Sequence, residues 1–137
     1  MIDHHFTGQH IIADFYGVSK EFLVSSQNFI HIYQKAILES NATLCALLIK
    51  DFEPSGFTIL GLLSESHSSV HTYPEHESVF IDAFTCGTHC SPLRIIQTLE
   101  VALEPKRASI TSVLRGRPEQ PISNIDGYAT LRAPEYA

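Results

Sequence analysis

The densest polar stretch of the chain covers residues 64–75 and reads SESHSSVHTYPE. The thiol of Cys86 follows eleven residues later, within the segment FTCG. Hydroxyl, imidazole, carboxylate and thiol groups therefore lie between short apolar runs that are typical of buried strands. A rigid sheet that presents reactive side chains at its strand ends is typical of a catalytic or binding site. Three kinds of chemistry are open to these residues.

Metal binding is the first kind of chemistry. Its candidate ligands are His67, His71, Cys86, His89 and Cys90. Two imidazoles four residues apart converge on one ion when they lie on a helix, but the residues between these two histidines favour a strand. The Cys-x3-Cys spacing of the two thiols also lacks the repeated close pairs of zinc modules. We therefore predict that no metal binds here.

Nucleophilic attack on an external acyl group is the second kind. Ser66 or Cys86 would be the nucleophile, and His71 would be its base. The sequence has no G-x-S-x-G segment of the type that presents a nucleophilic serine, and it offers no obvious aspartate to orient the histidine. These two gaps weaken the hypothesis.

Self-cleavage is the third kind. The hydroxyl of Ser66 would attack the carbonyl of Glu65, and an N-to-O acyl shift would convert the peptide bond into an ester. β-Elimination of the ester leaves a dehydroalanine, which hydrolyses to a pyruvoyl group at a new N-terminus. This route needs a base for the α-proton of Ser66 and a donor that stabilises negative charge on the Glu65 carbonyl oxygen.

Five ordered segments carry a resemblance to a known family. They are residues 8–14 (GQHIIAD), 52–56 (FEPSG), 65–75 (ESHSSVHTYPE), 82–87 (DAFTCG) and 115–116 (RG). Together they span residues 8–116, and they resemble the bacterial and archaeal S-adenosylmethionine decarboxylase proenzyme. The combination of ESH, HT and FTCG in this order is far more specific than any of these segments alone.

The resemblance implies a role for several individual residues. Ser66 is similar to the serine that becomes the pyruvoyl group, with cleavage after Glu65. His71 is similar to the histidine that drives this processing, and Thr58 lies where the family usually has a serine that assists it. Cys86 is similar to the cysteine that donates a proton to the α-carbon of the substrate.

The resemblance also implies the substrate. Phe52 and Glu75 lie where the family contacts the adenine and ribose of S-adenosylmethionine, and Tyr73 replaces a tryptophan that is common in the same motif. A pyruvoyl ketone forms a Schiff base with the substrate amine and accepts electrons as carbon dioxide leaves, as pyridoxal phosphate does. The product would be the aminopropyl donor for spermidine synthesis. Two alternatives stay open: an arginine or ornithine decarboxylase with the same cofactor, and an unprocessed relative that regulates an active partner.

The elements that must position these residues follow from the hydrophobic pattern. Strands are predicted at residues 9–16, 43–50, 57–64, 69–72, 78–85 and 107–114, of which 43–50 is expected to be buried. One helix is predicted at residues 20–40, and a second is expected to begin at Ser91-Pro92 and to end at Pro105. This order, β-α-β-β-β(β)-α-β, predicts an α+β two-layer sandwich with both helices on one face of an antiparallel sheet. Because the strands are apolar on both faces, we expect a second copy of the chain to cover the other face and form a homodimer.

Composition narrows the classes of partner. The chain has 137 residues, enough for a single domain, and a formal net charge of −6 without a basic stripe, so we expect no nucleic-acid partner. No apolar run reaches the roughly eighteen residues of a membrane span, and residues 1–5 lack the features of a signal peptide. We therefore expect a cytoplasmic protein that acts on a small molecule. Self-cleavage would divide it into residues 1–65 and 66–137, of which 117–137 are predicted to form a loose tail.

The remaining cysteines and histidines are expected to be structural. The chain has three cysteines, an odd number that predicts free thiols, and Cys45 is predicted to be a small buried hydrophobe. The histidines predicted to lie at the surface or in caps are His4, His5, His31 and His76.

Overall fold

Six antiparallel strands form one sheet in a computed structural model that describes residues 6–118. The strands are β1 (Gly8–Tyr16), β2 (Leu44–Asp51), β3 (Phe57–Leu63), β4 (Ser66–Tyr73), β5 (Ser78–Cys86) and β6 (Arg107–Arg115). The helices are α1 (Ile30–Glu39) and α2 (Pro92–Leu103). The order across the sheet is β2-β3-β4-β5-β1-β6, and every neighbouring pair is antiparallel.

One face of the sheet packs against both helices. Alternate residues of the central strands are buried on this face because successive side chains of a strand point to opposite sides. The core residues of β1, α1 and α2 are Ile11, Ala13, Phe15, Tyr33, Ala36, Ile37, Ile95, Ile96, Leu99 and Leu103. Gly61 lies beneath the ring of Tyr33, where a Cβ would collide with the tyrosine hydroxyl. The predicted α+β arrangement, with an antiparallel sheet and two helices, is confirmed.

The opposite face of the sheet, which we call the open face, carries exposed apolar side chains. They alternate along the strands with the buried ones and are Ile12, Leu48, Leu60, Leu62, Phe80 and Val113. Several exposed apolar side chains on one face of a sheet are typical of an interface with another molecule.

The first helix is shorter than predicted. Residues 20–40 were expected to be helical, but α1 begins only at Ile30, after two 3₁₀ turns at Lys20–Phe22 and Ser26–Asn28. The carboxylate of Asp51 accepts hydrogen bonds from both the backbone N–H and the hydroxyl of Ser26, at 3.0 and 2.8 Å. Such side-chain bonds to the backbone compete with the hydrogen bonds of a continuous helix, which explains the interruption.

The prediction that residues 43–50 form a buried strand is wrong in its burial. The strand β2 forms at Leu44–Asp51, but it is an edge of the sheet, so most of its residues are exposed. The prediction for Cys45 fails for a related reason, because the register shifts between Leu44 and Ala46 and the thiol turns outward. Its Sγ lies 3.1 Å from the Ser64 hydroxyl oxygen. The buried thiol is that of Cys90.

Other boundaries follow the prediction more closely. The hydroxyl of Ser91 caps α2 by accepting a hydrogen bond from the N–H of Arg94 at 3.3 Å, and Pro92 opens the helix as predicted. The strand predicted at residues 69–72 is longer and begins at Ser66. His31 and His76 are exposed as expected, whereas His4, His5 and residues 119–137 of the predicted tail lie outside the described residues.

Candidate active site

A two-residue turn between β3 and β4 contains the predicted cleavage point. The carbonyl oxygen of Glu65 accepts a hydrogen bond from the backbone N–H of Cys86, at 2.9 Å. The hydroxyl oxygen of Ser66 lies 3.9 Å from the Sγ of Cys86. Ser66 has a φ of 151°, which belongs to a backbone region that residues with a side chain rarely adopt. These three residues, Glu65, Ser66 and Cys86, form what we call the cleavage half-site.

The side chain of Glu65 is held as firmly as its carbonyl. One carboxylate oxygen accepts a hydrogen bond from the N–H of Thr43 at 3.0 Å, and the other lies 3.0 Å from the Nε2 of His89. The side chain is only 6% exposed. Burial alone would raise the pKa of Glu65, but the Thr43 N–H and the His89 ring favour the ionised form, and the pKa is lowered. The carboxylate is therefore charged at neutral pH.

A second group of predicted residues gathers around one pocket. The hydroxyl of Thr58 lies 3.1 Å from the Nδ1 of His71, its cross-strand partner. The pocket has a volume of about 320 Å³, and its lining includes Phe52, Thr58, His71, Tyr73 and Glu75. We call these five residues the pocket half-site. The exposed ring of Tyr73 lies against that of Phe80, with centroids 4.9 Å apart.

The two half-sites occupy opposite ends of the β3–β4 hairpin. Ser66 pairs with Leu63 at the turn, whereas His71 pairs with Thr58 at the far end. Five residues along a strand correspond to about 17 Å. The structure thus brings the predicted site residues together in two sets, and within one chain it does not place His71 beside Ser66.

Four further polar side chains converge on the open face between the half-sites. The Nε2 of His10 lies 2.7 Å from an oxygen of Asp82, and the Nε2 of His67 lies 3.6 Å from the same oxygen. The other oxygen accepts a hydrogen bond from the Ser69 hydroxyl. Burial acts to raise the pKa of Asp82, but these hydrogen bonds and the two imidazoles lower it overall. This network was not predicted from sequence because its members come from three different strands.

The ligands of the metal hypothesis are dispersed in the part of the chain that the structure describes. His67 joins His10 and Asp82, while His89 and Cys90 approach Glu65. The remaining two candidates are Cys86, whose Sγ lies 3.9 Å from the Ser66 hydroxyl oxygen, and His71, which hydrogen-bonds to Thr58. The single five-residue site that the hypothesis required is therefore not formed.

The residues of both half-sites lie in a part of the chain that matches a known protein family. A model of the family described as S-adenosylmethionine decarboxylase matches residues 9–116, which include both half-sites. The chain belongs to the S-adenosylmethionine decarboxylase family. That family makes its pyruvoyl cofactor from a serine of its own chain. Ser66 suits this origin, because it directly follows Glu65, whose carbonyl already accepts a backbone N–H.

Relatives within the S-adenosylmethionine decarboxylase family cover most of the chain. An S-adenosylmethionine decarboxylase proenzyme 2 from Bacillus cereus is 39% identical over 109 residues, which are 80% of this chain and 89% of that protein. A proenzyme from Thermotoga petrophila is 36% identical over 80% of this chain and 85% of its own. The crystal structure of the adenosylmethionine decarboxylase from Aquifex aeolicus VF5 superposes with a TM-score of 0.77, at 32% identity, over 85% of this chain and 97% of that one.

A search for membrane-spanning helices is negative for the residues that the structure describes. Neither α1 nor α2 is long and apolar enough to cross a bilayer.

The Asp82 network yields a prediction about stability and pH. In a Ser66→Ala background, which keeps the chain in one piece, Asp82→Asn should lower the free energy of unfolding at pH 7 by about 1–2 kcal/mol, because a charged acceptor is lost. The lowered pKa means that this contribution is complete above the ordinary value of 3.8 and is lost as the pH falls through the folded-state pKa. In urea titrations, the difference in unfolding free energy between Asp82→Asn and its parent should therefore shrink as the pH falls from 7 to 3.

The exposed Glu21 supplies the control for that measurement. Glu21→Gln should follow the parent chain at every pH. A gap between Asp82→Asn and its parent that is constant with pH would show that the carboxylate charge contributes nothing.

Proposed function

We propose that the chain cleaves itself between Glu65 and Ser66 and then decarboxylates S-adenosylmethionine. The observation that carries this proposal is the geometry at the turn: the Glu65 carbonyl accepts the Cys86 N–H while the Ser66 hydroxyl lies beside the Cys86 thiol. A nucleophile next to a carbonyl with a donor on its oxygen is the arrangement that an acyl shift needs.

The processing reaction uses only groups of the chain and one water. The Ser66 oxygen attacks the Glu65 carbonyl carbon, and the developing negative charge on the carbonyl oxygen is stabilised by the Cys86 N–H. The C–N bond then breaks, the nitrogen takes a proton, and an ester joins Glu65 to the Ser66 side chain. A base removes the α-proton of Ser66, the Cβ–O bond breaks, and Glu65 leaves as a carboxylate. The dehydroalanine tautomerises to an imine, and water releases ammonia to give the pyruvoyl ketone.

The pyruvoyl ketone supplies the electron sink for decarboxylation. The chain supplies the proton and the surroundings. Cys86 is partly buried next to Ser66, so its thiol is placed to protonate the substrate carbon from which carbon dioxide departs.

The pocket half-site suits a nucleoside. The half-exposed rings of Phe52 and Tyr73 offer flat apolar surfaces on which a purine can stack. The carboxylate of Glu75 lies in the same lining and can accept hydrogen bonds from ribose hydroxyls. This combination favours S-adenosylmethionine over arginine or ornithine, neither of which has a large aromatic group to stack.

A second copy of the chain would join the two half-sites. Ser66 and His71 lie at opposite ends of the same strand, about 17 Å apart at 3.4 Å per residue. Consider a two-fold axis that lies midway between two facing sheets, runs perpendicular to the strands and passes the middle of β4. It places the Ser66 end of one strand over the His71 end of the other. Each complete site would then take its cleavage half-site from one chain and its pocket half-site from its partner.

The open face supports this pairing of chains. His71 and Thr58 lie on it, since they are in register with the exposed Phe80 and alternate with buried neighbours. The apolar side chains around them would be removed from water by a second sheet, which provides the driving force for assembly. We therefore propose a homodimer whose interface contains both sites.

The test of the proposed function combines fragment analysis with a substrate comparison. The purified chain should give fragments of 65 and 72 residues, the second with a blocked N-terminus, and should release carbon dioxide from S-adenosylmethionine but not from arginine or ornithine. Ser66→Ala should remain one chain of 137 residues without activity, because no hydroxyl can attack Glu65. Fragments from Ser66→Ala would disprove the assignment of Ser66.

Co-expression of two inactive variants tests whether the site is shared between chains. His71→Ala alone should accumulate intact chain or the ester, because the base is missing. In a heterodimer with Ser66→Ala, one site combines Ser66 of the first chain with His71 of the second, so the His71→Ala chain should be cleaved. Differently tagged chains, purified through both tags and analysed by mass spectrometry, report the result. Absence of cleavage in the isolated heterodimer would show that the two residues act within one chain.

Replacement of Cys86 should separate processing from turnover. Cys86→Ala keeps the backbone N–H that stabilises the Glu65 oxygen, so fragments should still form. Loss of the thiol removes the proton donor, and kcat per processed chain should fall by about a hundredfold. Cys45→Ala is the matched control and should behave like the unmodified chain, since that thiol lies at the exposed edge strand. Unchanged turnover in Cys86→Ala would assign the proton to another group.

A further inference from the structure

His89 takes no part in the processing and turnover steps described above. It belongs to the loop between β5 and α2, in the segment Thr88-His89-Cys90, and its side chain is 59% exposed, so it adds little to the core. Its Nε2 nevertheless lies 3.0 Å from a carboxylate oxygen of Glu65. The partner of this exposed histidine is thus the residue whose carbonyl is attacked during cleavage.

Three hydrogen bonds from separate segments hold Glu65 in place. The N–H of Cys86 binds its carbonyl at 2.9 Å, and the N–H of Thr43 binds its carboxylate at 3.0 Å. Both donors are backbone groups, which any residue at those positions would supply. His89 supplies the third contact, and among the described residues it is the one side chain that bonds to Glu65.

We infer that His89 is a positioning residue for self-cleavage, which acts by holding the Glu65 carboxylate so that the neighbouring carbonyl stays aligned for attack by Ser66. The inference rests on the proposed function, because it concerns the same bond. The inferred role adds a contact from the loop before α2 to the groups of the cleavage half-site.

The reason that alignment matters is geometric. The Ser66 oxygen must reach the Glu65 carbonyl carbon from above the peptide plane while the carbonyl oxygen keeps its bond to the Cys86 N–H. If the Glu65 side chain is released, the residue can rotate about its backbone dihedrals, and the peptide plane turns away from this arrangement. Small misplacements of reacting groups cost large factors in rate. Because the Glu65 side chain is only 6% exposed, its carboxylate takes its hydrogen bonds from these protein donors and little from water.

A double-mutant cycle on the processing rate tests the inference. The full chain is made by cell-free synthesis, and fragment formation is followed over time by denaturing electrophoresis and mass spectrometry. His89→Ala should slow cleavage about tenfold, since misplacement rather than loss of a reacting group is introduced. His89→Gln, which keeps an N–H donor, should recover most of the rate. In chains that carry Glu65→Ala, the further change His89→Ala should have no effect, because its partner is already absent.

Controls separate positioning from folding and from turnover. His31→Ala removes an exposed histidine on α1 and should cleave at the unmodified rate. In a Ser66→Ala background, circular dichroism should show that His89→Ala is fully folded at the assay temperature, although loss of the contact to Glu65 lowers its unfolding temperature. The cleavage rate is compared with kcat per processed chain, so that an effect on turnover is recognised separately.

Failure of the inference and failure of the proposed function give different results. If the unmodified chain yields no fragments, the proposed function is wrong. If it is cleaved and His89→Ala is cleaved equally fast, His89 does not position Glu65. The inference is also overturned if His89→Ala slows cleavage as much in the Glu65→Ala chain as in the unmodified one, or if His89→Gln recovers nothing.

Discussion

The distance between the two ends of β4 keeps the two half-sites apart within one chain. An extended strand cannot bend back on itself, so Ser66 and His71, five residues apart, stand about 17 Å from each other. Their cross-strand partners separate in the same way, with Leu63 beside Ser66 and Thr58 beside His71. Within one chain the two groups therefore do not meet, and the open face is the surface on which the proposed dimer would bring them together.

The end of β5 organises the cleavage half-site. Cys86 is the last residue of that strand, and its N–H is directed to the Glu65 carbonyl instead of to a regular strand partner. In the proposed function this one residue provides two groups: a backbone donor for the processing reaction and a thiol for the later proton transfer. Because the donor belongs to the backbone, the two duties can be separated by replacing the side chain.

Two carboxylates, one at the turn and one on the open face, bind donors from other parts of the chain. Glu65 is nearly buried and ionised, and Thr43 and His89 satisfy its two oxygens. Asp82 is similarly surrounded by donors from β1 and β4. Both carboxylates therefore depend on partners that are distant in the sequence.

The sequence by itself determined the class of fold, most strand positions and the capped start of α2, because these depend on local periodicity. Its short ordered motifs singled out the candidate site residues. It misplaced the start of α1, since the competing bonds to Ser26 come from Asp51, a residue twenty-five positions away. It also misjudged Cys45, whose exposure follows from an edge strand and a register shift. Only the tertiary structure decided which site residues meet. Strand pairing places Cys86 and His89 at Glu65 and carries His71 to the other end of the sheet. The local sequence pattern cannot show these contacts, because the paired segments are distant in the sequence.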